Sequence, residues 1–253
     1  MNKIILFFSL SFCLGFSLSA QESVNIKKLK LAYPDFVKSF DGTYILLNNG
    51  KKIIYDDRKN NKTNDELLND PSVADMFRYL YVKGKTTAPA EYEDPGRIRN
   101  ENFMKAMYGS TSSEVQKNLT TIVWCPNLVN AKIKITTING VDRQLKKISD
   151  ELDKHPELKK YLEGATTFNW RIIAGTKRLS THSFGTSIDL NVKYSNYWQW
   201  DCNCKKENVK LSYKNRIPQE IIAIFEKYGF IWGGKWYHYD TMHFEYRPEL
   251  LIE

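Results

Sequence analysis

Ten residues in the last third of the chain impose the strongest constraint on its fold. Ser180-Thr181-His182-Ser183-Phe184-Gly185-Thr186-Ser187-Ile188-Asp189 is followed about fifty residues later by Asp240-Thr241-Met242-His243-Phe244-Glu245. Two imidazoles and a carboxylate can hold one zinc ion with a coordination position left open. Any fold that uses His182, Asp189 and His243 in this way must bring two distant segments together. Asp240, three residues before His243, then stands where it could handle the proton of a water molecule.

Local patterning supports such a meeting. Ile188, Leu190 and Val192 alternate with Asp189 and Asn191, so a strand here would turn Asp189 away from its apolar face. In the second segment His243 and Glu245 share one face of a strand, while Met242 and Phe244 share the other. Gly185 permits close approach of the chain after His182. The chain has only four histidines, and three of them, His182, His238 and His243, fall within about sixty residues. His238 competes for a ligand position and reads as a second-layer or substrate-facing residue. Glu245 reads as an acceptor for a histidine N–H or as a surface charge. His155, beside Pro156, reads as a solvent-facing residue at a helix start.

Composition sets the outer limits. The 253 residues suffice for one sizeable domain, and 42% hydrophobic residues predict a packed core rather than disorder. The net charge of +8 favours anionic partners, but no nucleic-acid motif accompanies it. Lys205, Lys206, Lys210, Lys214 and Arg216 read as a solvated loop, or as attraction to an anionic polymer. Met1-Asn2-Lys3, the apolar run Ile4 to Leu18 and Leu18-Ser19-Ala20 have the form of a secretory signal over 1–20. Phe12 is too bulky for Cys13 to be a lipid-attachment site. The apolar run is shorter than the ~20 residues of a membrane span. Cleavage after Ala20 leaves Cys125, Cys202 and Cys204. Cys202 and Cys204 are too close for an easy mutual bridge, and a pairing with Cys125 stays open.

Along the chain, 21–40 reads as an extended leader, and 43–55 as a β-hairpin around Asn48-Asn49-Gly50. Residues 56–65 read as a loop, 71–79 as a short helix, and 86–99 as a surface loop. Ser113 and Gln116 fit a capping box, with Val115, Leu119 and Ile122 at helical spacing. A strand is expected over 132–138, then helices over 141–152 and 156–162. Pro218 begins a helix that Gly229 ends, and Phe230 to Trp236 reads as a final hairpin. Trp198, Trp200, Trp232 and Trp236 read mostly as core, with one or two free to line a groove. The mixture is an α+β pattern.

Ser-x-His-x-x-Gly-x-x-x-Asp followed by Asp-x-x-His-Phe-Glu resembles the M15 zinc peptidases, which include D-alanyl-D-alanine carboxypeptidases and L-alanyl-D-glutamate endopeptidases. The specific motifs cover Trp170 to Arg247. Asp94-Pro95-Gly96-Arg97 and Met107-Tyr108-Gly109 extend a looser similarity. Where the family usually has Ala, this chain has Ser187. The resemblance implies a small antiparallel sheet carrying the zinc site and flanked by helices. It implies one Zn2+ per chain held by His182, Asp189 and His243, and Asp240 as catalytic base. An aspartate base belongs to the endopeptidase branch, a glutamate to the D-Ala-D-Ala branch. Arg171, on an expected strand 170–173, is the candidate for stabilising the oxyanion, with Arg178 its rival. Ser180 is a candidate substrate contact or a local turn residue.

The resulting expectation is an exported monomer, periplasmic or secreted, acting on peptidoglycan stem peptides. A signal peptide (1–20), an N-terminal extension packed on the core (21–110) and a catalytic domain (111–253) would compose it. A D,D-carboxypeptidase is the alternative bond specificity. A non-catalytic wall-binding or signalling domain with structural zinc is the alternative class, and Asp240 argues against it.

Overall fold

The computed structural model describes residues 24–84 and 87–253, so the expected signal segment and Cys13 lie outside the described residues. The fold is α+β, with helices around three small antiparallel sheets. No described helix is long and apolar enough to cross a membrane.

The described residues begin with helix α1 (24–32), which buries Ile26, Leu29 and Tyr33 next to it. A meander follows: β1 (Val37–Phe40), β2 (Tyr44–Leu47) and β3 (Lys52–Ile54). The Asn-Gly hairpin is therefore present, but the described part of the expected extended leader 21–40, from residue 24 on, is a helix and a strand. Ile26, Leu29 and Tyr33 lie at the i, i+3, i+7 spacing of a helix face, the local signal that marks α1. Helix α2 (Asn64–Asn69) is started by Thr63 in a capping box with Glu66, within and beyond the segment expected to be a loop. The expected helix over 71–79 is a single 3-10 turn, Ala74–Phe77. Helix α3 (Glu101–Tyr108) is capped by Asn100.

Helix α4 is confined to Ser112–Gln116, and Thr111 rather than Ser113 is its cap. Leu119 and Ile122 do not continue it. They belong to β4 (Leu119–Trp124), paired along its length with β5 (Ala131–Thr136). The β-branched run Thr120-Thr121-Ile122-Val123 favours that outcome. Helix α5 (Val141–Leu152) packs on β4 and β5 through Val141, Leu145, Ile148 and Leu152, each fully buried. Burial of each such side chain is worth about 1.5–3 kcal/mol. The exposed Lys146–Asp150 pair on the same helix is worth under ~1 kcal/mol, so the apolar stripe holds α5 in place. A 3-10 turn, Pro156–Leu158, leads into α6 (Lys159–Leu162).

The third sheet has strand order β6-β8-β7, from β6 (Ser187–Asp189), β7 (Phe230–Trp232) and β8 (His243–Tyr246). The expected final hairpin does not form. After β7 the chain makes a 3-10 turn at Gly233–Lys235, and β7 pairs with β8 instead. The alternation after Asp189 also stops early, and Val192 is exposed in a 3-10 turn. Helix α7 (Trp198–Cys202) and helix α8 (Gln219–Lys227) complete the fold. Phe225 of α8 stacks on Phe244 of β8 at 3.9 Å between ring centroids, fixing the sheet to the main core. That core is continuous from Ile26 to Tyr246 and draws on both sides of residue 110.

Cys202 and Cys204 are disulfide-bonded, contrary to the expectation from their spacing. Asn203 between them takes a left-handed conformation (φ 49°), which folds the chain back and leaves the Cα atoms 5.2 Å apart, within the span of a bridge. Cys125 is free and buried, and desolvation pushes its thiol up to about 12. Cys125 should therefore resist a maleimide or iodoacetamide in the native protein and react on denaturation. Peptide mapping after each treatment checks this, and native-state labelling of Cys125 would contradict the packing described here.

Candidate metal centre

His182 sits in a 3-10 turn, Thr181–Phe184, started by Ser180, whose hydroxyl accepts the His182 N–H. Gly185 closes the turn at φ 65°. A Cβ there would lie 2.7 Å from Leu119 Cδ2 and 3.2 Å from the Thr136 nitrogen, so only glycine lets the turn rest on β4 and β5. β6 then presents Asp189 directly opposite His243 of β8 in an antiparallel register.

This arrangement brings together His182, Asp189 and His243, with one ligand atom from each within 4.8 Å of the others. His182 Nε2 is 3.1 Å from Asp189 Oδ2 and 3.3 Å from His243 Nδ1. His243 Nδ1 is 2.9 Å from Asp189 Oδ1. The outward ring nitrogens are both engaged: His182 Nδ1 donates to the Thr167 carbonyl at 2.6 Å, and His243 Nε2 to Glu245 Oε2 at 3.2 Å. Each histidine is thus held in the tautomer that leaves its inner nitrogen free, which is how proteins orient metal ligands. Two inward imidazole nitrogens beside an acceptor-only carboxylate call for a cation at their centre. The donor set suits a divalent ion such as zinc.

Burial alone would lower the His243 pKa, but the Asp189 and Glu245 carboxylates outweigh it and raise it to about 9. Burial would raise Asp189, but His182 and His243 hold it well below the usual carboxylate range. Asp240 behaves oppositely. Burial, then the Asp189 charge, push its carboxyl up, against the smaller pull of the two histidines. Its Oδ1 is buried and has no hydrogen-bond partner among the described residues. The Asp240 N–H donates to the Gly233 carbonyl at 3.0 Å, and the Asp240 carbonyl would clash with a Cβ on Gly233 at 2.7 Å. Gly233 therefore allows the Asp240 segment to close over the sheet.

Glu245 is 1% exposed and lies behind His243. Arg99 grips it from one side through Nε at 2.9 Å to each oxygen, and through a second, shorter contact from Nη2. Arg247 reaches it from the other side at 3.1 Å and is itself bound to Glu249 at 2.5 Å. Glu249 accepts from Tyr33 at 2.6 Å, so the chain of contacts runs from His243 to the end of α1. Arg99, Arg247, Thr167 and Thr181 were not singled out from sequence. Thr167 contributes only a carbonyl, which leaves no sequence signal. Arg99 lies two residues beyond Asp94-Pro95-Gly96-Arg97, and that neighbourhood was the available hint.

The remaining candidates fall elsewhere. Arg171 is exposed and not in a strand; Ile172 makes only an isolated bridge to Leu179. Its backbone is pinned by Ser180 and Ser183, and its charge is felt at Tyr197, whose backbone bridges Asp240. The Ser180 hydroxyl serves the turn. His238 is 2% exposed, with Nδ1 2.8 Å from Asp94 Oδ2 and Nε2 2.9 Å from the Glu207 carbonyl. Neither ring nitrogen is left for a metal or a substrate. It is a strut, and Arg97 reinforces it by binding both Asp94 and Glu207. The expected surface loop over 86–99 therefore carries buried contacts at Asp94, Arg97 and Arg99. Arg216 lies exposed in a loop, as expected, and binds Asn196 and the Ser195 carbonyl. Trp198, Trp232 and Trp236 are buried, and Trp200 is exposed. His155 pairs with Glu157 and Glu220 at the surface.

Glu245→Gln keeps the shape of the side chain but removes the charge that orients His243. It should weaken binding of a divalent metal about 10–100-fold, measured by competition with a chromogenic chelator. Unchanged affinity would mean that the Glu245 contact does not support the ligand.

Residues 174–246 match the model of an M15 peptidase family described as D-alanyl-D-alanine carboxypeptidase. Neither the curated proteins nor the solved structures contain a match to the chain. The matched segment includes His182, Asp189, Asp240, His243 and Glu245, and over that segment the chain is similar to the M15 peptidases.

Proposed function

We propose that the protein is an exported zinc metallopeptidase that hydrolyses short peptidoglycan stem peptides, with L-Ala–D-Glu endopeptidase activity favoured. The observation that carries this reading is the unpartnered, buried Oδ1 of Asp240 beside three convergent ligand atoms. A purely structural metal site needs no such group. His182, Asp189 and His243 would hold the ion. Zinc bound there would supply Lewis-acid chemistry, polarising a carbonyl and bringing the pKa of a water toward ~7.

The chain's own residues supply the rest. Asp240, with its pKa raised by burial, takes a proton from the attacking water and returns it to the departing amine nitrogen. Arg171, exposed and outside the ligand cluster but with its backbone fixed by Ser180 and Ser183, is the proposed source of positive charge for the developing oxyanion. Glu245 and the Thr167 carbonyl keep the two imidazoles in register. Export rests on the charged start, apolar run and small-residue end of 1–20.

The D,D-carboxypeptidase reading is kept because the matching family bears that description. Digestion of purified stem peptides followed by mass analysis separates the two. Cleavage between L-Ala and D-Glu is expected; free D-alanine without cleavage near the start of the stem would overturn the endopeptidase assignment. Asp240→Asn should retain about one zinc per chain by elemental analysis and lose about 10²–10⁴-fold in turnover. Fully zinc-loaded wild type that cleaves no stem would favour a non-catalytic binding domain. Failure to take up stoichiometric zinc would remove the reading altogether.

A further inference from the structure

Beside the metal centre runs a groove bounded by α2, the first turn of α3, the 173–179 segment and Lys205–Glu207. Thr181 lines it, and the Thr181 hydroxyl is 3.3 Å from His243 Nε2, so the groove reaches the layer that supports the ligands. Arg178 also lines this groove. It is half-buried, and its Nε is buried with no acceptor among the described residues.

Apart from Arg178 and the lining lysines Lys177, Lys205 and Lys206, the surrounding charges are committed to one another. Arg97 is bound to Asp94 and Glu207, and Arg99 to Glu245. Among the groove's carboxylates, Glu101 takes Lys105 and the Leu179 N–H, Asp70 takes Lys59, and Asp65 takes the Asn69 amide. Arg178 is thus a guanidinium held beside two other arginines, with a donor that the protein leaves unsatisfied. A planar fork of donors in that state is suited to a carboxylate, which it can bind through two parallel hydrogen bonds.

We propose that Arg178 is the anion anchor of this groove and takes a free carboxylate of the bound peptide. The inference rests on the stem-peptide reading above and adds a specificity rule to it. A stem peptide with lysine at its third position, the kind used in the test below, offers two such groups. D-Glu joined through its side-chain carboxyl leaves its α-carboxylate free, and the last residue carries the C-terminal carboxylate. The chemistry is shared, and the test distinguishes the source.

Wild-type protein and Arg178→Gln are compared on three stems: fully free, amidated at the D-Glu α-carboxylate, and amidated at the C-terminus. Wild type is expected to prefer the free stem about tenfold or more over one of the two amides, through KM rather than kcat, and that amide identifies the source. In Arg178→Gln the preference collapses toward one, while Arg178→Lys recovers part of it. Equal treatment of all three stems by wild type overturns the proposal, as does an unchanged preference in Arg178→Gln. If wild type cleaves no stem, the peptidase reading fails separately. Calorimetric titration of the free stem into both zinc-loaded proteins then judges the anchor, and equal affinity, or no binding to either, overturns it.

Discussion

A single buried carboxylate, that of Glu245, carries much of this structure. Removing a carboxylate from water costs several kcal/mol, and the cost is offset only by well-placed partners. Here Arg99 and Arg247 approach from opposite sides, and the His243 N–H completes the set. Burial would otherwise raise Glu245, but these partners, Arg99 foremost, hold it well below its ordinary range. The arrangement is rigid because loss of any member leaves another buried charge exposed to an unfavourable surrounding. That rigidity is transmitted to the imidazole that faces Asp189.

The same logic recurs at a second buried cluster. Asp94 lies between Arg97 and the His238 ring, and its pKa falls to about 2: burial would raise it, but Arg97 and the His238 contacts prevail. Glu207 closes this cluster from the far loop. Together the two clusters fasten residues 94–99 to the sheet from both sides. A stretch with Pro95 and Gly96, and without regular secondary structure, is thereby one of the more firmly held parts of the molecule.

The site's inner residues were legible in sequence because their spacing and residue types are chemically unusual. Alternation around Asp189 and around His243 indicates which faces they occupy, and the two strands do pair in that register. The long apolar stripe of α5 and the hairpin turn at Asn49-Gly50 were equally readable, being local patterns. What escaped was non-local. Leu119 and Ile122 have helical spacing, yet pairing with β5 overrides it. Arg99 looked like one charge among many, and only its distance from Glu245 gives it meaning. The Cys202–Cys204 bridge depended on the backbone conformation of Asn203, which spacing alone does not reveal.

The line from Tyr33 through Glu249 and Arg247 to Glu245 also bears on what counts as a heritable unit in this protein. The recognisable motif occupies 174–246, and the hydrogen bonds that steady it come from residues 33, 96 and 99 as well. A gene fragment carrying every motif residue would lack Arg99 and Arg247, which hold Glu245 behind His243. Recombination or truncation that respects the motif but not this line would separate the ligands from their support. The smallest portion that selection can preserve intact therefore extends well upstream of the part that sequence comparison recognises.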